Sequence, residues 1–423
     1  MKAIKPISDL KTIIRVPGSK SITHRAVIAA ALAGGESRLR DFLECEDTLY
    51  TINTLKELGV DISVNGNELK VMGCGGEFAP VPYKKELYLG NSGTSFRLLL
   101  SVVALGRGEF FMTGIDRMLE RPIWPLVTAV NKLGGSVSCV TRNNYPPVLV
   151  RADGIRGGKV DIQGNQSSQF LSSLLLTGPY SENGVEIKVS GDLVSKPYVD
   201  MTIDVMAQFG VPIERDGYTY FKIQANRKYR HGNISIQGDA SSASYFWAAA
   251  AVTGGTVITE NIQPFNTRQG DMALLDIMKE MGCLVEKESD RVIVHGGRLS
   301  GIDVDMSSMP DMVPTLAAMA LFADGKTIIR NVPHLRHKES DRLQAVAFEW
   351  GRMGARVKEL EDGLIIHGGK KLSGGVMDPH NDHRIAMSLA VAGLRVPGLT
   401  IKDKTCVKKS FPRFWELWDT LTL

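Results

Sequence analysis

Six short polar stretches recur along this chain at a nearly fixed spacing, and that recurrence restricts the fold more than any other property. They are SKSITHR at Ser19, NSGTSFR at Asn91, SSQFLSS at Ser167, DASSASY at Asp239, DMVPTLA at Asp311 and DHRIAMS at Asp382, separated by 72, 76, 72, 72 and 71 residues. Each runs into an alanine- or leucine-rich stretch of helical character. A short strand generally follows: GGESRL, GRGEFFM, NGVEIKV, GGTVITE, DGKTIIR and PGLTIKD. Self-similarity at this period marks a supersecondary unit copied along the chain.

An amphipathic helix comes next in each unit. Leu49, Ile52, Leu55 and Leu58 share one face in the first, as do Leu126, Val127, Val130 and Leu133 in the second. Pro122 and Pro197 stand near the starts of their helices, where a missing N–H is tolerated. The first five of these helices are expected to stop at a bulky residue plus glycine: Leu58-Gly59, Leu133-Gly134, Phe209-Gly210, Met281-Gly282 and Met353-Gly354. Hairpins follow, with Asn65-Gly66, Asp216-Gly217 and Asp362-Gly363 as turns. The sixth unit ends after its amphipathic helix (Phe411 to Leu421), and the first fifteen residues are expected to supply its missing strands and close a ring.

A chain of 423 residues exceeds what one hydrophobic core usually serves. Six units therefore imply two pseudo-threefold domains, with two crossings between them, one near Val16. If all six helices point their starts one way, their dipoles converge on an interdomain cleft suited to small polyanions. Apolar residues make up 43% and charged residues 23%, as in ordinary soluble domains. A net charge of +4, without basic blocks or basic-aromatic clusters, excludes nucleic acid as the expected partner. The start MKAIKPISDL lacks the apolar core of a signal peptide, and no 18-residue apolar run occurs, so neither export nor membrane insertion is expected. Cys45, Cys74, Cys139, Cys283 and Cys406 are scattered and never spaced C-x-x-C, which fits a reducing cytoplasm.

The stretch VPGSKSITHR (residues 16–25) joins a turn, two hydroxyls and two cations ahead of an alanine-rich helix, a ready site for an anion. It is not a nucleotide P-loop, since its one glycine is followed by Ser19. Related places in other repeats carry Arg121, Lys196, Lys338, Arg342, Arg384 and Lys409. Together with Lys20 and Arg25 these cations suit two small ligands carrying about two to three negative charges each, through charge-assisted hydrogen bonds. Two carboxylates stand among them. Asp311 reads either as a helix cap or as a base, and Glu339 either as an ion-pair partner or as an acid. Positive surroundings favour a carboxylate base and disfavour a carboxylic acid, whereas a crowded lysine such as Lys20 gives up its proton more readily. His334-x-x-His337 and His380-x-x-His383 are close pairs without H-E-x-x-H spacing or an evident third ligand, so no metal is expected. No G-x-S-x-G motif supports a serine nucleophile.

Through these residues and the motifs around them, the chain resembles the 5-enolpyruvylshikimate-3-phosphate (EPSP) synthase family over essentially its whole length. The matching motifs, in order, are PGSKSITHR, LGNSGTSFRLL, RPIWPLV, SSQFLSSLL, SKPYVDMT, GDASSASYFWAAAA, MPD, KESDRL, NDHRIAM and KKSFP. The resemblance implies an inverted α/β fold of two pseudo-threefold domains, each of three βαβαββ units. The domains would be residues 1–17 plus 228–423, with Asp311, Glu339, Arg384 and Lys409 on its side of the cleft, and residues 18–227, with Arg121, Ser167 and Gln169; two crossover strands would form the hinge. It also implies transfer of the enolpyruvyl group of phosphoenolpyruvate to the 5-hydroxyl of shikimate 3-phosphate in the shikimate pathway, with no metal or organic cofactor. A cytoplasmic monomer that binds neither nucleic acid nor membrane is expected. Carried over by motif, phosphoenolpyruvate would meet Lys20, Gly93, Arg121, Gln169, Arg342, Arg384 and Lys409. Shikimate 3-phosphate would meet Lys20, Ser21, Arg25, Ser167, Ser168, Gln169, Ser195, Asp311 and Lys338. Proton transfer would fall to Asp311 as base and to Glu339 or Lys20 as acid.

Two positions depart from the family pattern. Leu98 stands where many relatives carry proline, and His334 where some carry asparagine. The first bears on glyphosate, a phosphoenolpyruvate-competitive inhibitor of the family; Gly93 leaves room for it, and sensitivity is expected. The sister transferases acting on UDP-N-acetylglucosamine typically carry a reactive cysteine five residues before the loop arginine, where this chain has Asp116. A non-catalytic anion-binding relative would not need Lys20, Asp311, Glu339 and Arg384 all intact.

Overall fold

Two compact units make up the chain in the computed structural model, which describes residues 1–141 and 144–422. Unit 1 comprises Met1–Ser19 and Gln237–Leu423, and unit 2 comprises Lys20–Ile236. The borders expected at 17/18 and 227/228 differ from these for a physical reason. Residues 228–236 are fastened into unit 2: Tyr229 donates its hydroxyl to Leu176 O at 2.8 Å, and Asn233–Ser235 runs parallel to Gly34–Arg40. Pro17 to Ser19 are fastened to unit 1, through Ser19 N to Gln237 O at 2.7 Å and Asp239 N to Pro17 O at 2.8 Å.

The four-stranded sheets follow one plan, a parallel pair extended by two antiparallel neighbours. In unit 2, Lys85–Tyr88 lies parallel to Arg107–Thr113, which is followed by Val148–Asp153 and Val137–Cys139. Gly158–Gln163, Val185–Ser190, Tyr220–Ile223 and Glu214–Asp216 repeat the pattern. So do Asn233–Ser235, Gly34–Arg40, Glu68–Cys74 and Asp61–Asn65. In unit 1, the order Asp303–Asp305, Lys326–Arg330, Gly363–His367, Arg356–Leu360 has the same form.

Two strands join sheets that sequence order does not suggest. Lys11–Arg15 leads into the first helix of unit 2, yet it pairs in parallel with Thr256–Glu260 of unit 1. Conversely, Asn233–Ser235 leads into unit 1 but completes a sheet of unit 2. The expectation for the first fifteen residues therefore needs correction. Only Lys2–Ala3 serves the sixth repeat, antiparallel to Thr400–Ile401, in a three-stranded sheet with Val376–Met377.

Three inner helices pack together in each unit: Lys20–Leu32, Gly93–Ala104 and Ser168–Thr177 in unit 2, and Ala240–Thr253, Val313–Ala320 and His383–Gly393 in unit 1. They are apolar on all sides because all sides are buried. Residues 240–252 are all buried, for example, and alanines let the helices approach closely. Each unit has its own core. The outer helices are Glu46–Glu57, Trp124–Lys132, Lys196–Gln208, Leu274–Met281, Arg342–Arg352 and Phe414–Asp419. Pro125, rather than Pro122, occupies the first turn of the second of these. The five glycines expected to end helices are all left-handed, with φ between 82° and 115°. Gly363 does a different job from the turn expected of it: it is already in a strand opposite Leu360, and a Cβ there would collide with the Ile329 carbonyl.

Candidate active site

Unit 1 gathers carboxylates and cations at the starts of its inner helices. Asp239 and Asp382 cap theirs, accepting from Ser241 N and Arg384 N, each at 2.9 Å. Asp311, at the equivalent place, does not. Met309-Pro310 turns the chain through a short 3-10 segment (Pro310–Met312), which releases the Asp311 carboxylate to accept Arg342 Nη1 at 2.8 Å and Arg384 Nη2 at 2.9 Å, with Lys338 Nζ at 3.5 Å. Its side chain keeps 16% exposure. Burial works against its charge, but Arg384, Lys338 and Arg342 outweigh it and hold this carboxyl well below the usual carboxylate range.

Glu339 accepts from Arg342 Nη2 at 2.7 Å and lies 3.9 Å from Lys409 Nζ. Arg342 is therefore the hinge pin of the cluster, buried and fork-bonded on three sides, its Nε donating to Asp382 Oδ2 at 2.8 Å. Burial disfavours its charge, and Asp382, Glu339 and Asp311 overcompensate to raise its pKa. Ser340 reinforces Asp382 at 3.1 Å. The arrangement is an ionised carboxylate with a second carboxylate beside it in a cationic frame, suited to hold a polyanion while accepting a proton.

Unit 2 presents a second cluster. Lys20 begins the first inner helix, and its Nζ lies 2.8 Å from Asp47, a carboxylate only 2% exposed in the first turn of the Glu46–Glu57 helix. Gly93 opens the next inner helix behind its cap Ser92, and a Cβ there would stand 2.5 Å from Arg121 Nη2. The absent side chain is thus the space the Arg121 guanidinium fills, held by Asn91 O at 3.0 Å. Ser167 caps the third helix on Gln169 N at 3.3 Å, and Ser168 is buried beside it. The Gln169 side chain ties two helices together, donating to Thr94 Oγ1 and accepting from Arg97 Nη1, both at 2.9 Å. Ser195 is left-handed (φ 56°) ahead of Lys196-Pro197, a strained conformation of the kind retained at functional positions.

The structure alters the part of two cations. Arg25 is 1% exposed and already donates to Thr202, Ser172, Tyr198 O and Ser21 O. Burial lowers its pKa to about 10. Four of its five N–H donors are thus taken up by the protein's own frame. Lys196 is exposed, its Nζ 5.5 Å from the Tyr218 ring centre, and joins neither cluster.

Sequence reading passed over Asp47 and Arg97 and named Asp382 only as a helix start; the three aim Lys20, Gln169 and Arg342. A signal for one of them existed: Arg97 follows Asn91 by the same offset at which Arg25 follows Ser19. Leu98 is buried within its helix, and its carbonyl accepts from Ser173 at 3.2 Å. His334 is buried, with both ring nitrogens lacking a hydrogen bond among the described residues; burial first and then the Lys338 charge lower its pKa to about 4. His380 instead lies 3.0 Å from Glu349. Among the described residues no group of three or more His, Cys, Asp or Glu is arranged to hold a metal ion, and no helix is long and apolar enough to cross a membrane.

Repeated βαβαββ units in two pseudo-threefold bodies, with a carboxylate set among cations at helix starts, define the inverted α/β class. A family model described as EPSP synthase (3-phosphoshikimate 1-carboxyvinyltransferase) matches residues 4–418. The chain belongs to the EPSP synthase family. The 3-phosphoshikimate 1-carboxyvinyltransferase of Syntrophobacter fumaroxidans is 45% identical over 99% of both chains. That of Methanoculleus marisnigri is 46% identical over 95% of this chain and 94% of its own. A solved structure of EPSP synthase from Acinetobacter baumannii superposes with a TM-score of 0.82 at 31% identity, covering 99% of this chain and 97% of that one.

Proposed function

We propose that this chain transfers the enolpyruvyl group of phosphoenolpyruvate to the 5-hydroxyl of shikimate 3-phosphate, releasing phosphate, as the 3-phosphoshikimate 1-carboxyvinyltransferase step toward chorismate and the aromatic amino acids. The observation that carries this reading is the Asp311 carboxylate, held ionised by Arg384, Lys338 and Arg342 with Glu339 beside it. Asp311 accepts the 5-hydroxyl proton as that oxygen bonds to the central carbon of phosphoenolpyruvate. An acid, Glu339 or Lys20, protonates the methylene carbon. The resulting tetrahedral intermediate loses phosphate as the methyl group returns a proton to that acid's conjugate base, and the proton taken up by Asp311 leaves with the phosphate, which restores the base. Fixed cations stabilise the charge developing at the reacting centre, and alignment of the two reactants contributes next.

In this reading phosphoenolpyruvate is bound by Lys20, Gly93, Arg121, Gln169, Arg342, Arg384 and Lys409. Shikimate 3-phosphate is bound by Lys20, Ser21, Arg25, Ser167, Ser168, Gln169, Ser195, Asp311 and Lys338. The protein works as a cytoplasmic monomer on these small molecules, without nucleic acid. Purified protein given both substrates is expected to release phosphate in the steady state, and to release none when UDP-N-acetylglucosamine replaces shikimate 3-phosphate. The opposite preference, or binding without turnover, would overturn the reading.

One substitution tests the phosphoenolpyruvate contacts by themselves. Gly93→Ala puts a methyl group where the Arg121 guanidinium lies, at 2.5 Å from Nη2. Displacing one charge-assisted contact is expected to raise KM for phosphoenolpyruvate roughly tenfold, with KM for shikimate 3-phosphate unchanged. Equal KM values for phosphoenolpyruvate in the two proteins would remove Arg121 from that ligand.

A further inference from the structure

Behind the Asp311 cluster lies a buried carboxylate that the mechanism does not use. Asp271 is 5% exposed, in the 3-10 turn Gly270–Ala273 that precedes the Leu274–Met281 helix. The Ser241 hydroxyl donates to its Oδ2. On its other side, Ser241 Oγ accepts from Arg384 Nη2 at 3.4 Å, and the same Nη2 donates to Asp311 Oδ2 at 2.9 Å. A continuous chain therefore runs from Asp271 through Ser241 and Arg384 to Asp311.

We infer that Asp271 is a positioning residue for the transfer reaction, acting through the Ser241 hydroxyl to aim the Arg384 guanidinium. This inference rests on the functional reading above. The logic is directional. An ionised carboxylate only accepts, so the Ser241 O–H points at Asp271 and leaves its lone pairs for Arg384, which only donates. Were the hydroxyl to turn round, two donors would face each other and Arg384 would lose one of its supports.

The surroundings are built to hold this direction. Ser241 N is fixed on Asp239 at 2.9 Å. Gln269, two residues before Asp271, accepts from Ala240 N at 3.0 Å and donates to Gly238 O at 2.8 Å, clamping the turn to the helix start. Tyr245 takes the other arm of Arg384, Nη1 to OH at 3.4 Å. Burial pushes the Asp271 carboxyl up to about 6; Arg384 and Ser241 pull against it, while Asp311 and Asp239 add to it. With the folded-state pKa raised above the unfolded value, stability is lost as pH rises through that interval. A carboxylate at this position is thus a liability to the fold at neutral pH, and an amide there should not lower Tm.

The test compares Asp271→Asn, Ser241→Ala and the double variant at pH 7.5, by steady-state phosphate release and by thermal melting. Asp271→Asn can present its NH2 to Ser241 and reverse the hydroxyl. Ser241→Ala removes the link without touching a charge. Each single variant is expected to raise KM for phosphoenolpyruvate roughly tenfold, with KM for shikimate 3-phosphate within about twofold, and the double variant should be no worse than the worse single one. Asp271→Asn should melt no lower than the parent protein. An unchanged KM for phosphoenolpyruvate in either single variant, losses that multiply in the double variant, or a lowered Tm with both KM values altered alike would overturn the relay. A parent protein that turns over no phosphoenolpyruvate would instead overturn the function on which the relay rests.

Discussion

Lys20→Ala is expected to lower kcat by at least about a hundredfold, the scale seen when one fixed donor to a developing charge is removed. Its structural effect is separable from its catalytic one. Lys20 neutralises Asp47, which is 2% exposed, so the alanine leaves a buried carboxylate without its 2.8 Å ammonium partner. Loss of one member of a buried pair costs on the order of 3 kcal/mol, enough to lower Tm by several degrees. The double variant Lys20→Ala/Asp47→Asn should recover most of the lost Tm and none of the lost activity. Recovery of both would mean that Lys20 holds the fold and leaves the chemistry to others. Near-normal kcat in the single variant would remove it from the site.

Asp311→Asn is expected to cut kcat by about 10²–10⁴, the usual worth of a positioned general base. Binding should behave in the opposite way. The amide removes a negative charge from among Arg342, Arg384 and Lys338, leaving the pocket more positive, so both anionic substrates should bind at least as tightly by isothermal titration. The pH profile supplies a second check. Cations hold this carboxyl below the ordinary range despite its burial. Its ionised form therefore contributes stability fully above the unfolded-state value of about 3.9, and that contribution is lost as pH falls through the folded-state value. No inflection from Asp311 should occur in kcat/KM between about pH 5 and 9. A variant with kcat within tenfold of the parent would assign the base elsewhere.

The repeat was legible because it is written in local chemistry. Polar starts, alanine-rich helices and terminal glycines each act within a few residues, so reading them in order gives the inner helices, the outer helices and the place of Lys20, Gly93, Ser167, Asp311 and Arg384. Strand partnership is not local. Lys11–Arg15 and Asn233–Ser235 are short strands with nothing in their own residues to distinguish one sheet from another. Their choice of sheet is settled by what the rest of each unit offers.

The site was legible by residue type and not by role. Asp239, Asp311 and Asp382 stand at the same point of successive repeats, yet two are caps and one is turned by Met309-Pro310 toward three cations. Arg25 and Arg121 looked alike as basic residues near helix starts. The first is spent inside the frame, and the second fills the space left by Gly93. Such differences arise from packing between repeats some 70 residues apart, where no window of sequence brings the partners together.

The long-range pairing of these two strands has a consequence for the order in which the chain can be built. Lys11 is opposite Thr256 in its sheet, and Asn233 is opposite Arg38. During synthesis the N-terminal strand emerges first and waits while the whole of unit 2 is translated before its neighbour exists. Unit 2 in turn lacks an edge of one sheet until its last residues leave the ribosome. Partners so distant in sequence make for slow closure and for exposed strand edges in the interval. Unit 2 can finish once Ile236 is made, whereas unit 1 must wait for the residues from Gln237 onward, so a nascent chain truncated before residue 233 leaves both N-terminal sheets unfinished.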